Sequence, residues 1–311
     1  MAVNTLLIII GIVMVLWGAD RLTEGASALA RRMHVPEIVI GLTIVAAGTS
    51  APELFISLAS ALKGTPDMAV GNVVGSNIFN ALLIVGCAAM VAPMVITPST
   101  VKKDMPFAVG ASLLLLAAIL FGGDVSRLDG LLLLAFFAVF MVYTFRVALK
   151  GNTASDSPSV DATPVWKSLL YVVAGLAGLI IGSDLFVDSA SDVARRLDIS
   201  DGVIGLTIVA GGTSLPELAT SVVAARKGQS AIAIGNVIGS NVFNILLILG
   251  LTATVSPMAV QGITVVDLSV MLVSILMVWA FSYTKYTVAR WEGAVLTLAF
   301  MAYMGWLFYN L

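Results

Sequence analysis

Residues 41–86 read GLTIVAAGTSAPELFISLASALKGTPDMAVGNVVGSNIFNALLIVG, and residues 205–250 read GLTIVAGGTSLPELATSVVAARKGQSAIAIGNVIGSNVFNILLILG. The two stretches align without a gap at an offset of 164 residues, and 29 of their 46 positions are identical. Each copy carries one glutamate, Glu53 or Glu217, and an asparagine 27 residues later, Asn80 or Asn244. A repeat of this length indicates that the chain is built from two related halves.

The composition is that of an integral membrane protein. Of the 311 residues, 59% are hydrophobic and 11% are charged, and the mean hydropathy is +1.04, whereas about a quarter of the residues in soluble domains are charged. The single Cys87 and the single His34 exclude an intrachain disulfide, a cysteine-based or multi-histidine metal site and a histidine-based triad. No motif pairs a nucleophile with a base, and the 16 scattered Lys and Arg residues form no nucleic-acid patch. We therefore predict a protein that is not an enzyme.

Ten segments are apolar enough to span a bilayer, which needs about 20 residues per helix. The first is interpreted as a retained helix, because the N-terminus lacks both the basic region and the cleavage site of a signal peptide. The predicted helices are 4–28, 37–62, 67–92, 105–122, 128–147, 166–190, 202–225, 230–254, 265–282 and 290–309.

The polar stretch 150–165, KGNTASDSPSVDATPV, has the composition of a linker and separates the halves 1–149 and 166–311. If the N-terminus lies outside, inner connections hold 12 of the 16 Lys and Arg residues and outer connections hold four. The positive-inside rule thus predicts that both termini are periplasmic and the linker is cytoplasmic. Because five helices per half is an odd number, the second half enters from the opposite face. We predict an all-α membrane protein of ten transmembrane helices in two inverted-topology five-helix repeats, an architecture of many secondary transporters.

Two prolines, Pro52 and Pro216, interrupt the second helix of each half. Proline lacks an N–H and clashes with the carbonyl four residues earlier, so we expect a helix break at mid-membrane. Freed backbone carbonyls are tolerated at that depth only when they are buried or line a cavity. Glu53 and Glu217 directly follow the prolines, and carboxylate, carbonyl and hydroxyl oxygens together suit calcium or sodium.

The third helix of each half presents a polar face. In the first half Asn72, Ser76 and Asn80 are spaced at i, i+4 and i+8, and the second half repeats the spacing. Packing of the halves about a pseudo-two-fold axis would bring both glutamates and both asparagines together near the midplane. Because a carboxylate at the bilayer centre costs roughly 2.5–3.5 kcal/mol, we predict that the pair is functional. The matching polar residues are Asn236, Ser240 and Asn244, and GxxxG spacing for close helix packing occurs at Gly71, Gly75, Gly235 and Gly239.

The paired GTS-x-PE and GN-x-x-GSN-x-x-N motifs resemble the alpha repeats of the sodium/calcium exchanger family, in the calcium:cation antiporter superfamily. The chain is most similar to the bacterial inner-membrane members. The resemblance implies antiport of sodium for calcium by alternating access, with the ions bound as substrates, no cofactor and no obligate protein partner. The implied ligands of calcium are Glu53, Glu217 and the backbone oxygens of Thr49 and Thr213. Sodium would share the glutamates and use Ala46, Thr49 and Ser76 in one half and Ala210, Thr213 and Ser240 in the other. Asn80 and Asn244 would complete the site, supported by Ser50, Ser214, Pro52, Pro216, Asn72 and Asn236.

One position departs from the pattern of many relatives. Archaeal and potassium-dependent relatives often carry aspartate where this chain has Asn244, which removes a third acid and leaves potassium co-transport and stoichiometry open. Calcium/proton exchange, through the same two glutamates, and passive cation conduction are the alternatives. Asp20, Asp184 and Asp188 lie on the first helix of each half, which slides across the core in the family. For these residues we predict helix-end or interhelical hydrogen bonding, with a gating role as the alternative.

Overall fold

The computed structural model describes residues 2–151, 164–197, 208 and 210–309. Eight helices in these ranges are long and apolar enough to cross a membrane, or nine if one bent pair counts as a single span. The prediction of an all-α membrane fold is therefore confirmed. The linker 150–165 and the beginning of the predicted helix 202–225 lie largely outside the described residues.

The first seven helical segments are six helices that precede the linker and one helix that directly follows it. Their polar interruptions coincide with prolines and glycines, which break helices. The elements are α1 (Ala2–Met33), α2 (Glu37–Thr49), α3 (Ala51–Leu62), α4 (Pro66–Val91), α5 (Thr100–Gly122), α6 (Arg127–Gly151) and α7 (Val165–Arg196).

The remaining helices repeat this order, with two short strand pairs between the halves. The helices are α8 (Ala210–Thr213), α9 (Leu215–Arg226), α10 (Ser230–Val255), α11 (Val265–Tyr283) and α12 (Arg290–Tyr309). The strands are β1 (Met94–Val95), β2 (Asp124–Val125), β3 (Met258–Ala259) and β4 (Thr287–Val288), with β1 antiparallel to β4 and β2 antiparallel to β3.

Two helices are longer than the sequence predicts. α1 continues to Met33 rather than ending at 28, and α7 continues to Arg196 rather than ending at 190, so that each has 32 residues. At 1.5 Å per residue such a helix is about 48 Å long, whereas the hydrocarbon core is about 30 Å thick. Apolar residues do not mark these ends, because the last turns of both helices are polar. Backbone hydrogen bonding continues the helix through those turns.

α1 and α7 pack against each other through glycines. Gly11, Gly18 and Gly25 recur every seven residues along α1. A Cβ atom added to any of them would lie 2.7 Å from a carbonyl oxygen of α7. The facing carbonyls belong to Gly182 and Gly175 and to Ser168. Small residues let helix backbones approach closely in a membrane, where helix association has no hydrophobic driving force.

α4 and α10 form the centre of the molecule. In the most apolar 18 residues of α10, 94% of the residues are buried, and in those of α4 72% are buried. The corresponding fraction in α6 and α12 is 17%. The central pair combines apolar residues with glycine, serine and asparagine, which suits contact with neighbouring helices rather than lipid. The predicted close packing is confirmed for Gly235 and Gly239, because a Cβ at either would lie 3.1 Å or less from α2. It is wrong for Gly75, because no described atom lies within 4 Å of a Cβ added there.

The glycine contact between α1 and α7 yields a prediction about stability. Gly18→Val places a branched side chain against the backbone of Gly175 and Leu179. We expect the free energy of unfolding to fall by about 1–3 kcal/mol because the helices must separate. The measurement is thermal unfolding of the purified protein in detergent, with Gly305→Ala as the control, since no described atom lies within 4 Å of that added Cβ. An unchanged midpoint for Gly18→Val would show that the contact is not tight.

Candidate cation site

A sharp bend separates α2 from α3. The two helices meet at 47° across Ser50, whose φ and ψ of −83° and 8° are not helical. Pro52 lies in the first turn of α3, where backbone N–H groups have no partner within the helix, so the missing N–H costs no helical hydrogen bond. The predicted break is therefore confirmed, and it puts Glu53 in the first turn of a twelve-residue helix. Backbone N–H groups at such a terminus favour a negative charge.

The second half has the same break. α8 ends at Thr213, Ser214 has φ and ψ of −94° and 8°, and Pro216 lies in the first turn of α9. Glu217 follows it in the first turn, as Glu53 does in α3. The two predicted carboxylates thus occupy equivalent positions at the start of equivalent helices.

Each glutamate accepts a hydrogen bond from the serine at the helix break of the other half. The Ser50 hydroxyl donates to Oε1 of Glu217 at 2.9 Å, and the Ser214 hydroxyl donates to Oε1 of Glu53 at 3.3 Å. Both glutamate residues are completely buried. The Ser214 oxygen also lies 3.3 Å from the hydroxyl of Ser76 on α4. The serines of both breaks and Ser76 of α4 therefore lie close to the carboxylates.

The asparagines at the start of the polar faces hold the glutamate backbones. Asn72 Nδ2 donates to the carbonyl of Glu53, and Asn236 Nδ2 donates to the carbonyl of Glu217, both at 3.3 Å. The Oδ1 atom of Asn236 accepts from the hydroxyl of Thr49 at 3.1 Å, which joins α10 to the end of α2. These contacts fix the first turns from which the carboxylates project.

Asn80 and Asn244 lie in π-helical segments, which the α-helical spacing of the polar residues does not predict. The segments are Phe79–Ile84 in α4 and Phe243–Leu249 in α10. A π-helix has wider turns, so residues in it leave the face that α-helical spacing assigns to them; such segments are rare and are frequent at functional sites.

Two asparagines of the GSN motifs, absent from the predicted site, connect α4 with α10. Asn80 Nδ2 donates to Oδ1 of Asn241 at 3.1 Å, and Asn244 Nδ2 donates to Oδ1 of Asn77 at 3.2 Å. Asn77 and Asn241 also donate to each other's backbone carbonyl, at 3.4 and 3.5 Å. Both asparagines are identical at the same offset in the two repeats, which is the sequence feature that marks them. The i, i+4, i+8 spacing does not include them, because they lie outside that helix face.

Four buried carboxylate and amide oxygens of the predicted site have no hydrogen-bond partner among the described residues. They are Oε2 of Glu53 and Glu217 and Oδ1 of Asn80 and Asn244. An unsatisfied buried polar atom costs about 1–3 kcal/mol, and more when it is charged. All four atoms are acceptors, so the group that compensates them is a donor or a cation.

The other predicted residues surround this cluster. The Ala46 carbonyl accepts from the Ser50 N–H at 3.0 Å and the Thr49 hydroxyl at 3.3 Å. Ser240 is buried on α10, and Thr213 is half-buried beside the second break. Ala210 begins α8, and its side chain lies outside the described residues. In the described ranges no three His, Cys, Asp or Glu residues cluster as metal ligands, so this cage has only two acids.

The sequence profile of the family described as "Sodium/calcium exchanger protein" matches residues 3–146 and 167–309. The chain belongs to this family. The exchanger family is one of transporters, not of enzymes, which agrees with the prediction from the motifs.

Relatives match this exchanger over nearly its whole length. The sodium/calcium exchanger MaX1 of Methanosarcina acetivorans is 36% identical and covers 99% of each chain. Inner membrane protein YrbG of Escherichia coli is also 36% identical and covers 99% of this chain and 98% of its own. A structure of the sodium-calcium exchanger NCX_Mj, soaked with 10 mM Na+ and no Ca2+, superposes with a TM-score of 0.84 at 29% identity, covering 97% of this chain and 98% of that chain.

The asparagine contacts yield a prediction about ion binding. Asn241→Ala removes the acceptor of the Asn80 amide, so the Asn80 side chain loses the hydrogen bond that fixes its orientation. We expect the dissociation constant for calcium to rise about tenfold or more, and Asn77→Ala to act equally through Asn244. Isothermal titration of monodisperse protein measures this. Ser282→Ala is the control, because that hydroxyl donates only to Val278 of its own helix; unchanged affinity in both asparagine variants would contradict the prediction.

Proposed function

We propose that this exchanger is a secondary antiporter in which sodium moving in one direction drives calcium in the other through one shared site. The observation that carries the proposal is the set of four buried, unpartnered oxygens of Glu53, Glu217, Asn80 and Asn244. Calcium and sodium are hard cations that take oxygen ligands. The site draws these ligands equally from the two halves, and the named exchangers MaX1 and NCX_Mj align with the chain end to end.

In this proposal calcium binds between the carboxylates of Glu53 and Glu217, with backbone oxygens of Thr49 and Thr213. Sodium ions share these carboxylates, and Asn80 and Asn244 complete the middle. The outer sodium positions use Ser76 and Ser240 with the backbone of Ala46 and Ala210. Ser50 and Ser214 orient the carboxylates, Asn72 and Asn236 hold their backbones, and Pro52 and Pro216 create the breaks.

Charge sets the coupling. Two carboxylates neutralise one calcium ion, and the same two groups cannot hold calcium and a full load of sodium together. The ions therefore compete, which is what antiport at one site requires. Any net charge that crosses the membrane couples transport to the potential by about 2.3 kcal/mol per elementary charge per 100 mV.

We also propose ten transmembrane helices in two inverted five-helix repeats, 1–149 and 166–311, joined by a cytoplasmic linker at 150–165. Support comes from contacts that recur with the halves exchanged: serine to glutamate, asparagine to asparagine, α1 to α7 and strand to strand. The distribution of Lys and Arg supports periplasmic termini. A bacterial inner-membrane relative, YrbG, supports a location in that membrane.

Calcium flux in proteoliposomes tests the proposal. We expect calcium-45 uptake to be driven by an outward sodium gradient and to saturate, with little uptake under a pH gradient alone and no requirement for potassium. Uptake driven by protons without sodium would support calcium/proton exchange instead. A requirement for potassium would indicate potassium-dependent exchange, and uptake without any counter-ion would indicate a channel.

Removing either carboxylate tests the site. Glu53→Gln and Glu217→Gln keep the shape of the side chain and remove one of the two charges that balance calcium. We expect either change to abolish calcium flux and to lower calcium affinity at least tenfold in titrations. Asp192→Asn is the control, because that acid is exposed on α7 and pairs with Arg195 of its own helix. Normal flux in either glutamine variant would refute the assignment.

A further inference from the structure

Lys227 fastens the end of α9 to the middle of α1. Its Nζ atom lies 2.6 Å from Oδ1 of Asp20 and donates to the Asp20 carbonyl at 3.0 Å and the Thr23 hydroxyl at 3.1 Å. Lys227 directly follows the last residue of α9, and α1 packs along that helix. The contact therefore joins a long outer helix to one of the two helices that carry the site's glutamates.

The repeat contains a second pair of the same kind. At the offset of 164 residues Asp20 corresponds to Asp184, and Lys227 corresponds to Lys63. Asp184 lies on α7, and Lys63 directly follows α3. Both are exposed, and neither forms an ion pair with any residue that the structure describes. One of two equivalent ion pairs is thus formed and the other is not.

Helix packing has the same asymmetry. α1 packs along α9, whereas among the described residues α7 makes no comparable contact with α3. Two related sequences therefore adopt two different contact states in one molecule.

We propose that Asp20–Lys227 and Asp184–Lys63 are alternating latches, each formed when its own face of the membrane is closed to the site. The inference rests on the proposed antiport by two inverted repeats. In such a protein exchange of the conformations of the two halves converts access from one face to the other. On the proposed topology Asp20–Lys227 closes the cytoplasmic face, and Asp184–Lys63 forms when the periplasmic face closes.

The latches are suited to switching because they are weak. The side chains of Asp20 and Lys227 are 38% and 30% exposed. An ion pair with this access to water changes an equilibrium by about two- to fivefold, which biases the two states without trapping either. The two latches are also unequal, because Thr23, which accepts from Lys227, corresponds to Val187. The additional bond favours the state in which Asp20–Lys227 is formed.

Cross-linking tests the proposal in a Cys87→Ser parent, which has no native thiol. One protein carries Asp20→Cys with Lys227→Cys, and a second carries Asp184→Cys with Lys63→Cys. We expect a short bifunctional maleimide to link both pairs in proteoliposomes and each link to stop ion exchange. With all four cysteines present, formation of either link should prevent the other. Lys63→Cys with Lys102→Cys is the matched control, because the topology places these residues on opposite faces.

Transport affinities provide the second measurement. Asp20→Asn and Lys227→Gln should weaken apparent calcium affinity at the periplasmic face by about two- to fivefold, because less protein occupies the state open to that face. Asp184→Asn and Lys63→Gln should have the same effect at the cytoplasmic face, and Lys102→Gln, an exposed charge outside both latches, should have none.

The latch proposal is overturned if Asp184→Cys and Lys63→Cys never link in a protein that exchanges ions, or if all four single variants weaken affinity at the same face. Failure of the proposed function looks different. It appears as absence of sodium-driven calcium flux in the Cys87→Ser parent, while linking of both pairs would still demonstrate two alternating states.

Discussion

Two carboxylates buried in a membrane protein require compensating charge or hydrogen bonds, and the rest of this structure is arranged around that requirement. Water is not available to solvate Glu53 and Glu217, and an ion without a partner at this depth is costly. A serine of the opposite half donates a hydrogen bond to each carboxylate, and Oε2 of each has no hydrogen-bond partner among the described residues. In the proposed function a cation completes this compensation and is able to leave, unlike the fixed partner in a permanent salt bridge.

The helices around the site differ in how tightly they are joined to it. α4 and α10 are linked by a network of asparagine side chains and backbone carbonyls that crosses between the halves. α1 and α7 contact each other through Gly11, Gly18 and Gly25 of α1, and Gly48 and Gly212 near the helix breaks face side chains of α7. Hydrogen-bonded networks hold one geometry, whereas backbone contacts over glycine interlock few side chains. The molecule thus combines a fixed centre with long helices on its outside.

Much of this organisation was predictable because the same motifs occur in both halves of the sequence. The breaks at Ser50 and Ser214 follow from Pro52 and Pro216, and the meeting of the polar faces follows from their spacing and their duplication. The π-helical segments were not predictable, because amphipathic periodicity assumes 3.6 residues per turn. Asn77 and Asn241 were missed for the same reason. That Lys227 is paired and Lys63 is not could not be predicted either, since the aspartate and the lysine recur at the same offset in both halves.

The reciprocal bonds between serine and glutamate have a consequence for inheritance. Ser50 donates a hydrogen bond to the glutamate of the other half, and Ser214 does the same in return. A substitution at either serine therefore changes the ligand supplied by a helix more than 160 residues away in sequence. Each half therefore constrains the other at these positions, and a change in one core requires a matching change in the other. Such mutual dependence favours similar cores, in which 29 of 46 positions are identical.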